Sequence, residues 1–139
     1  MGYTFTMIKP KVVERNEIGA VIQQIESAGF QIIAMKKTRL SITEAAQFYC
    51  EHEGKPFFEP LIEFMSSAPI VAIILKNDGD TIPEFRTLIG NTDPTLAEDG
   101  TIRKEFALSK TYNAVHGSDS ETSFEREAKF FFSTRDMHL

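Results

Sequence analysis

The sequence predicts an α+β sandwich in which helices cover a small mixed sheet. Three observations predict this class: some segments alternate apolar and polar residues, others carry apolar residues at helical spacing, and the two kinds of segment follow one another without an internal repeat. The chain has 139 residues, close to the usual size of one domain. We therefore expect residues 1–139 to form a single domain.

The first strand and the first helix are separated by a change of period. From Tyr3 to Lys9, two sets of β-forming residues alternate, which are Tyr3, Phe5 and Met7 and, between them, Thr4, Thr6 and Ile8. Pro10 is expected to end the strand. Apolar residues at helical spacing follow. Asn16 is the expected N-cap, and Gly29 is placed to close the helix in a left-handed conformation.

A second strand and two short helices come next. Phe30 to Leu40 predicts the strand, and the capping box Ser41-x-x-Glu44 opens a helix that runs through about Cys50. Glu59 to Ser67 again has helical spacing.

The second half begins with an unbroken apolar run, Ile70 to Leu75, which suits a central strand. Thr81 starts a helix that reaches Ile89 and ends at Gly90. An irregular segment follows, without regular periodicity until Ile102 to Ala107, and Phe124 to Phe132 is compatible with a helix. The coarse order is strand, helix, strand, two short helices, strand, helix, loop, short strand, helix.

Composition excludes several classes of function. The chain has 15 basic and 20 acidic residues, a formal charge of −5, which disfavours sequence-independent binding to nucleic acid or to anionic membranes. A single cysteine, Cys50, cannot build a disulfide framework or a zinc site. No apolar run approaches the length of a membrane span, and residues 1–10 lack the pattern of a signal peptide, so we expect a soluble, cytoplasmic protein.

Three features could bind an anion, although each has an ordinary structural explanation. Lys9 at the end of a strand is usually solvated, and Arg86 lies off the apolar face of its helix. The segment Gly100 to Arg103 is a turn into a helix, where backbone N–H groups can hold an anion but usually hold water.

The sharpest local signal is Asn113 to Ser120, where His116 precedes a glycine among small polar residues. Neutral imidazole can act as a nucleophile or as a base, and a carboxylate such as Glu127 can fix its tautomer. The residues alone leave the choice between nucleophile and base open. Neither a Walker-type phosphate loop nor a dinucleotide-binding glycine motif is present.

Taken together, these segments resemble the nucleoside diphosphate kinase family over nearly the whole chain. The residues that carry the resemblance are Thr6-Met7-Ile8-Lys9-Pro10, Phe48-Tyr49 with His52, Lys55-Pro56-Phe57-Phe58, Phe64-Met65-Ser66-Ser67-Ala68-Pro69, Gly90-Asn91-Thr92-Asp93-Pro94, Gly100-Thr101-Ile102-Arg103 and Asn113-Ala114-Val115-His116-Gly117-Ser118-Asp119-Ser120. The last of them matches the active-site signature of the family.

The resemblance implies a four-stranded antiparallel sheet of ferredoxin-like βαββαβ topology, covered by helices. It also implies a ping-pong transfer of the terminal phosphate of a nucleoside triphosphate to a nucleoside diphosphate, through a phosphohistidine at His116. The implied cofactor is Mg²⁺, bound through the nucleotide phosphates rather than by protein ligands. The implied substrates are ATP, GTP, CTP, UTP and their deoxy forms, with no specific nucleic acid and no membrane as partner.

The resemblance also implies roles for individual residues. The implied catalytic residues are His116, Lys9, Tyr49, Asn113, Ser118 and Glu127. The implied nucleotide contacts are Lys9, His52, Phe57, Leu61, Arg86, Thr92, Arg103, Lys110 and Asn113. Among these, Phe57 would stack on the base, and Ser118 and Glu127 would orient His116.

Three positions depart from the usual family pattern: Lys11 follows the first strand, Glu53 lies beside His52, and Lys110 stands where many relatives have an aliphatic residue. Two alternatives stay open, a catalytically silent nucleotide-binding or scaffolding paralogue and a histidine-dependent phosphatase. Family members form tetramers or hexamers. The end of the chain at Leu139, without a longer C-terminal extension, favours a homotetramer or a homohexamer with reduced contacts.

Overall fold

A computed structural model describes residues 2–137 of the chain, so the expectation about the end at Leu139 lies outside the described residues. The four strands are β1 (Gly2–Ile8), β2 (Gln31–Thr38), β3 (Ile70–Asn77) and β4 (Val115–Gly117). The helices are α1 (Pro10–Glu14), α2 (Ile18–Ser27), α3 (Ile42–Phe48), α4 (Phe58–Met65), α5 (Thr81–Ile89), α6 (Ile102–Phe106), α7 (Glu121–Phe131) and α8 (Thr134–Met137), with a 3₁₀ turn at Cys50–His52.

The strands form one sheet in the order β2-β3-β1-β4, and every neighbouring pair is antiparallel. This confirms the α+β class and the antiparallel βαββαβ arrangement that the resemblance implies. The mixed sheet expected from the element order is wrong, because the order of elements does not fix the direction in which neighbouring strands run.

Helices pack on both faces of the sheet. Phe5 and Met7 of β1 point into one apolar cluster, which also contains Phe48 of α3 and Phe124 of α7. Ile8 belongs to the second cluster, with residues of α2 and α5. The alternation in the sequence of β1 therefore places its side chains on opposite faces, as a strand requires.

The chain between β1 and α2 differs from the expectation. Pro10 does not only end the strand but begins α1, where proline is favoured because its fixed φ suits the first helical position. Asn16 is not the N-cap of α2, since Glu17 occupies that position without a side-chain cap. Asn16 instead adopts a left-handed conformation with φ of 60°, which asparagine tolerates better than most residues.

Other local signals are confirmed. Ser41 and Glu44 form the reciprocal capping box at α3, and Gly29 and Gly90 follow their helices with φ of 92° and 87°. The turn into a helix at Gly100–Arg103 leads into α6, where the Thr101 side chain accepts from the Lys104 amide. Within residues 2–137, no helix has the length and apolar content needed to cross a membrane.

Candidate active site

A cleft of about 600 Å³ opens beside β4. It is lined by Lys9, Tyr49, His52, Phe57, Leu61, Arg86, Thr92, Arg103, Lys110, Thr111, Asn113, His116 and Gly117. The sheet order brings the ends of the chain's first and last strands together here, because β4 pairs with β1. Residues more than 100 positions apart in the chain thus share one site.

Strand β4 is held tightly in place. His116 pairs with Met7 in the antiparallel register, and the Lys9 amide donates to the Ala114 carbonyl at 2.9 Å. Ala114 has a φ of 76°, an unfavourable value for a residue with a side chain. Gly117 passes close to α5, where a Cβ would lie 2.8 Å from the Ile89 side chain. A larger residue after His116 would therefore require the Ile89 side chain to move.

His116 is paired with a buried carboxylate. Its Nε2 lies 2.8 Å from Oε2 of Glu127, whose side chain is 4 % exposed. The other carboxylate oxygen, Oε1, accepts a hydrogen bond of 2.7 Å from the Ser118 hydroxyl. Ser118 in turn is anchored to the backbone of Phe5, whose amide donates to its hydroxyl and whose carbonyl accepts from its amide. Ser118, which is bonded to β1, therefore helps to hold Glu127 against His116.

Aromatic rings confine the imidazole. Phe48 meets it edge-on with centroids 5.7 Å apart, and the rings of Phe5 and Tyr49 lie at 6.0 Å and 6.5 Å. With Nε2 turned towards Glu127, this packing limits rotation of the ring. The Nδ1 atom is consequently the nitrogen that lacks a carboxylate partner.

Lys9 is buried in the cleft, 5 % exposed, so its ordinary explanation as a solvated strand end is wrong. Its Nζ donates to Oδ1 of Asn113 at 2.8 Å. Burial, and then the nearby charge of Arg103, lower the pKa of the Lys9 ammonium to about 7. At neutral pH this amine is therefore about half protonated, and among the described residues no carboxylate pairs with it.

Two arginines add to this positive region. Arg103 donates to the carbonyls of Gly90 at 2.9 Å and Val115 at 3.0 Å, while its Nε is buried without a partner among the described residues. Burial, and then the charge of Arg86, lower the pKa of the Arg103 guanidinium to about 10. Arg86 is exposed, as its helix position predicted, yet it lines the cleft and donates to the Gly117 carbonyl at 3.3 Å.

The Tyr49 hydroxyl is also buried and has no hydrogen-bond partner among the described residues. Burial, and then the negative charge of Glu127, raise the pKa of this phenol. Tyr49 therefore keeps its proton and can donate it to an anion in the cleft.

The mouth of the cleft is more open. Phe57 is 45 % exposed, its ring lies 5.2 Å from that of His52, and the Lys55 ammonium lies 5.8 Å from the Phe57 centroid. Lys110 and Thr92 are exposed. Leu61 is buried and contributes an apolar side chain to the wall of the cleft.

Of the site residues expected from the sequence, all line the cleft except Ser118 and Glu127, which lie behind His116. Thr111 and Gly117 also line it. The sequence does not mark Thr111, because a single threonine in a polar loop has no distinguishing pattern. Gly117 lies within the signature, but its type alone does not predict a contact with a ligand.

The site chemistry favours an anion rather than a protein-bound metal ion. Residues 2–137 contain no group of three or more His, Cys, Asp or Glu side chains that could hold a metal. Among the described residues that line the cleft, four are basic and none is acidic; the basic ones are Lys9, Arg86, Arg103 and Lys110. A metal that enters with phosphate groups fits this donor set, because the phosphates supply the oxygen ligands.

Comparisons with known proteins agree on one family. The family model for nucleoside diphosphate kinase matches residues 2–137. A nucleoside diphosphate kinase of Chlorobium limicola is 50 % identical over 137 residues, which cover 99 % of this chain and 97 % of the relative.

Solved structures give the same result. The nucleoside diphosphate kinase of Aquifex aeolicus superposes with a TM-score of 0.93 at 38 % identity, covering 97 % of both chains. A Halobacterium salinarum nucleoside diphosphate kinase in complex with CDP superposes with a TM-score of 0.92 at 35 % identity, covering 98 % of this chain and 90 % of that chain. The chain therefore belongs to the nucleoside diphosphate kinase family and is a phosphotransferase enzyme.

Proposed function

We propose that this enzyme transfers the terminal phosphate of a nucleoside triphosphate to a nucleoside diphosphate in two steps, through a phosphohistidine at His116. The observation that carries the proposal is the pairing of His116 Nε2 with the buried Glu127 at 2.8 Å, in a cleft lined by cations. A neutral imidazole that donates its Nε2 proton to Glu127 has its lone pair on Nδ1. Nδ1 is then the nucleophile.

The phosphoryl group moves first to His116 and then to a second nucleotide. Nδ1 forms a bond to the terminal phosphorus, the bond between that phosphorus and the bridging oxygen breaks, and the nucleoside diphosphate leaves with the electron pair. Nε2 keeps its proton, and Glu127 stabilises the positive charge that develops on the ring. In the second step the terminal oxygen of another diphosphate attacks the same phosphorus, the bond between Nδ1 and phosphorus breaks, and its electron pair returns to Nδ1 of neutral His116.

The cations of the cleft would stabilise the phosphates. Lys9, Arg86 and Arg103 surround the same space as His116, and the unpartnered Arg103 Nε and Tyr49 hydroxyl provide further donors. Thr92 would add a hydroxyl from the loop after α5. Phosphoryl transfer depends mainly on such positioning and charge stabilisation, so this set suits the reaction.

A divalent metal, which we propose is Mg²⁺, would enter with the nucleotide. When bound it would neutralise part of the phosphate charge. The residues of the cleft would then hold the phosphate oxygens that the metal leaves free, which explains why the lining is cationic.

The open mouth would hold the nucleoside. Phe57 has an exposed ring that would stack on the base, Lys110 and Leu61 line the same cleft, and Asn113 with Lys9 would bind the sugar hydroxyls. Stacking is indifferent to base identity because every base has a π-face. We therefore propose that ATP, GTP, CTP, UTP and the deoxy forms are all substrates.

The test is a single-turnover reaction with γ-labelled ATP. Wild type should acquire an acid-labile, alkali-stable label and pass it to GDP, and His116→Ala should do neither while remaining folded. His52→Ala is the matched control: it removes the other histidine that lines the cleft, 3.8 Å from the exposed Glu51, so it should weaken nucleotide binding and still acquire the acid-labile label. Labelling of His116→Ala, or release of the label to water instead of GDP, would overturn the proposal.

Cytoplasmic location and assembly as a homotetramer or homohexamer remain predictions. Sedimentation velocity measures the second directly.

A further inference from the structure

The charge environment of the pair formed by His116 and Glu127 includes a third residue. Arg126 precedes Glu127 on α7, and its Nη2 lies 3.9 Å from Oε2 of Glu127, the same oxygen that meets His116. This is beyond hydrogen-bond distance, so the contact is one of charge. Among the described residues, Glu127 has two ion-pair partners, His116 and Arg126, and Arg126 is the one that is always charged.

Arg126 is held in this position by Phe48, which does not itself line the cleft. Its Nη1 donates to the Phe48 carbonyl at 3.1 Å, and its guanidinium lies 5.5 Å from the Phe48 ring centroid. Phe48 ends α3, where helix carbonyls lack intrahelical partners and a positive charge is favoured. The guanidinium is thus fixed between α3 and α7 although its side chain is 40 % exposed.

The same phenylalanine packs against the reacting imidazole. Phe48 is buried and meets the His116 ring edge-on with centroids 5.7 Å apart. Arg126 therefore touches both supports of His116, the ring that limits its rotation and the carboxylate that holds its Nε2.

We propose that Arg126 is a positioning residue that keeps Glu127 ionised and weakens its attraction for a second imidazole proton, so that His116 stays neutral and nucleophilic. This inference rests on the proposed role of His116 as nucleophile. A carboxylate alone favours the doubly protonated, cationic imidazole, which has no lone pair for attack. A guanidinium beside the carboxylate opposes that effect.

The other charged or titratable groups around His116 come from the remaining elements of the site. They are Lys9 after β1, Tyr49 after α3, His52 of the 3₁₀ turn, Arg86 on α5, Arg103 on α6, Lys110 in the loop after α6 and Asp119 after β4. A change at Arg126 leaves all of them in place, so its effect can be measured separately.

The direct measurement is the NMR titration of His116 in the free enzyme, assigned with His116→Ala. In Arg126→Gln the protonation midpoint of His116 should move up by about half a pH unit, a modest shift because a partly exposed charge is screened. Arg126→Lys should retain the wild-type midpoint, since it keeps the charge. Lys129→Gln is the matched control: it removes a positive charge from the same helix at a position that does not face Glu127.

The kinetic measurement is the pH profile of self-phosphorylation by ATP. In Arg126→Gln the acid limb should move up with the NMR midpoint, giving about threefold slower labelling at pH 5.5 and unchanged labelling at pH 8. A merely structural role would lower the rate at every pH and would not be rescued by lysine. An unmoved midpoint, an equal shift in Lys129→Gln, or a pH-independent loss of rate would overturn the inference.

Failure of this inference differs from failure of the proposed function. The NMR titration uses no nucleotide and reports only on the proton of His116. The proposed function fails only if His116→Ala still becomes labelled or if the label goes to water.

Discussion

The floor and the rim of the cleft are built differently. The floor consists of Lys9, Arg103, Asn113 and His116, whose side chains are largely buried and bound to one another, to Glu127 or to backbone carbonyls. The rim consists of His52, Phe57, Arg86 and Lys110, whose side chains are exposed or half-buried and have few specific contacts. The floor is therefore preorganised by the fold, and the rim is available for a ligand to order.

The difference has energetic consequences. A charge on the floor has lost much of its water and interacts strongly with any anion that enters, but it also costs stability in the empty enzyme. A rim group keeps much of its water and costs the empty enzyme little stability. Substitutions on the floor should consequently change both activity and stability, and substitutions on the rim should change activity or affinity with little change in stability.

The largest expected effect is the pH dependence of stability that Lys9 produces. Its pKa falls from 10.5 in the unfolded chain to about 7 in the folded enzyme, so between these values the unfolded chain holds a proton that the folded chain lacks. The penalty is full below pH 7 and disappears as the pH rises towards 10.5. The unfolding free energy of wild type relative to Lys9→Met should rise by several kcal/mol from pH 7 to pH 10, measured by urea unfolding.

The control for this prediction is Lys104→Met, which removes an exposed lysine on α6. It tests for a general effect of losing one lysine. Parallel stability curves for wild type and Lys9→Met would contradict an uncompensated ammonium on the floor.

The next effect compares the two arginines. Arg103→Ala and Arg86→Ala should each slow labelling of His116 by ATP roughly a hundredfold, because loss of one such donor typically costs about 3 kcal/mol. Only Arg103→Ala should also lower the free energy of unfolding, by about 1 to 3 kcal/mol, because the Gly90 and Val115 carbonyl oxygens lose the hydrogen bonds that Arg103 donates. Single-turnover labelling and urea unfolding measure the two effects.

Lysine replacements sharpen this pair. Lysine cannot reproduce the guanidinium fork, so Arg103→Lys should restore neither carbonyl contact fully, and Arg86→Lys should recover little of the rate. Equal stability losses at the two positions would show that Arg86 belongs to the floor, and unchanged labelling in both alanine variants would return them to structural roles.

The fold was predictable where local chemistry fixes the backbone. The capping box at Ser41 and the glycines at 29 and 90 act through neighbouring residues only, and all appear as expected. Asn16 shows the limit of such reasoning. An asparagine before a helix can cap it or can adopt a left-handed turn, and the choice here depends on the preceding α1, which the sequence pattern did not reveal.

The site was predictable in membership but not in energetics. The resemblance named most residues of the cleft, yet neither the burial of Lys9 nor the unpartnered Arg103 Nε follows from the sequence. Both result from the pairing of β4 with β1 and from the packing of α6 beside it. Long-range contacts of this kind leave no periodic signal.

A smaller effect is expected at Phe57 on the rim. Phe57→Ala should weaken nucleotide binding by about 1 to 3 kcal/mol, the usual loss for one base stack, and should affect purines most because they stack over a larger area. The unfolding free energy should barely change, since the ring is 45 % exposed. Calorimetric titration with ADP and CDP measures the affinity, and Ile42→Ala, an exposed apolar residue on α3, is the control. A stability loss as large as the affinity loss would contradict the rim assignment.

The smallest effect is expected at Lys110, which lines the same cleft as Phe57. Its methylene stem is expected to cover the second face of the base, while its exposed ammonium lies in solvent. The charge of this ammonium is only a minor cause of the lowered pKa of Asp93, which is due chiefly to hydrogen bonds from Thr95. Lys110→Leu keeps the apolar cover and loses only the charge, so turnover efficiency should be nearly unchanged or slightly higher. The comparison is kcat/KM for ATP, GTP, CTP and UTP in wild type and Lys110→Leu, with purines modestly preferred in both. A strong preference for one base that vanishes in Lys110→Leu would mean that the ammonium reads a base edge, and the rim would then select the nucleotide rather than merely cover it.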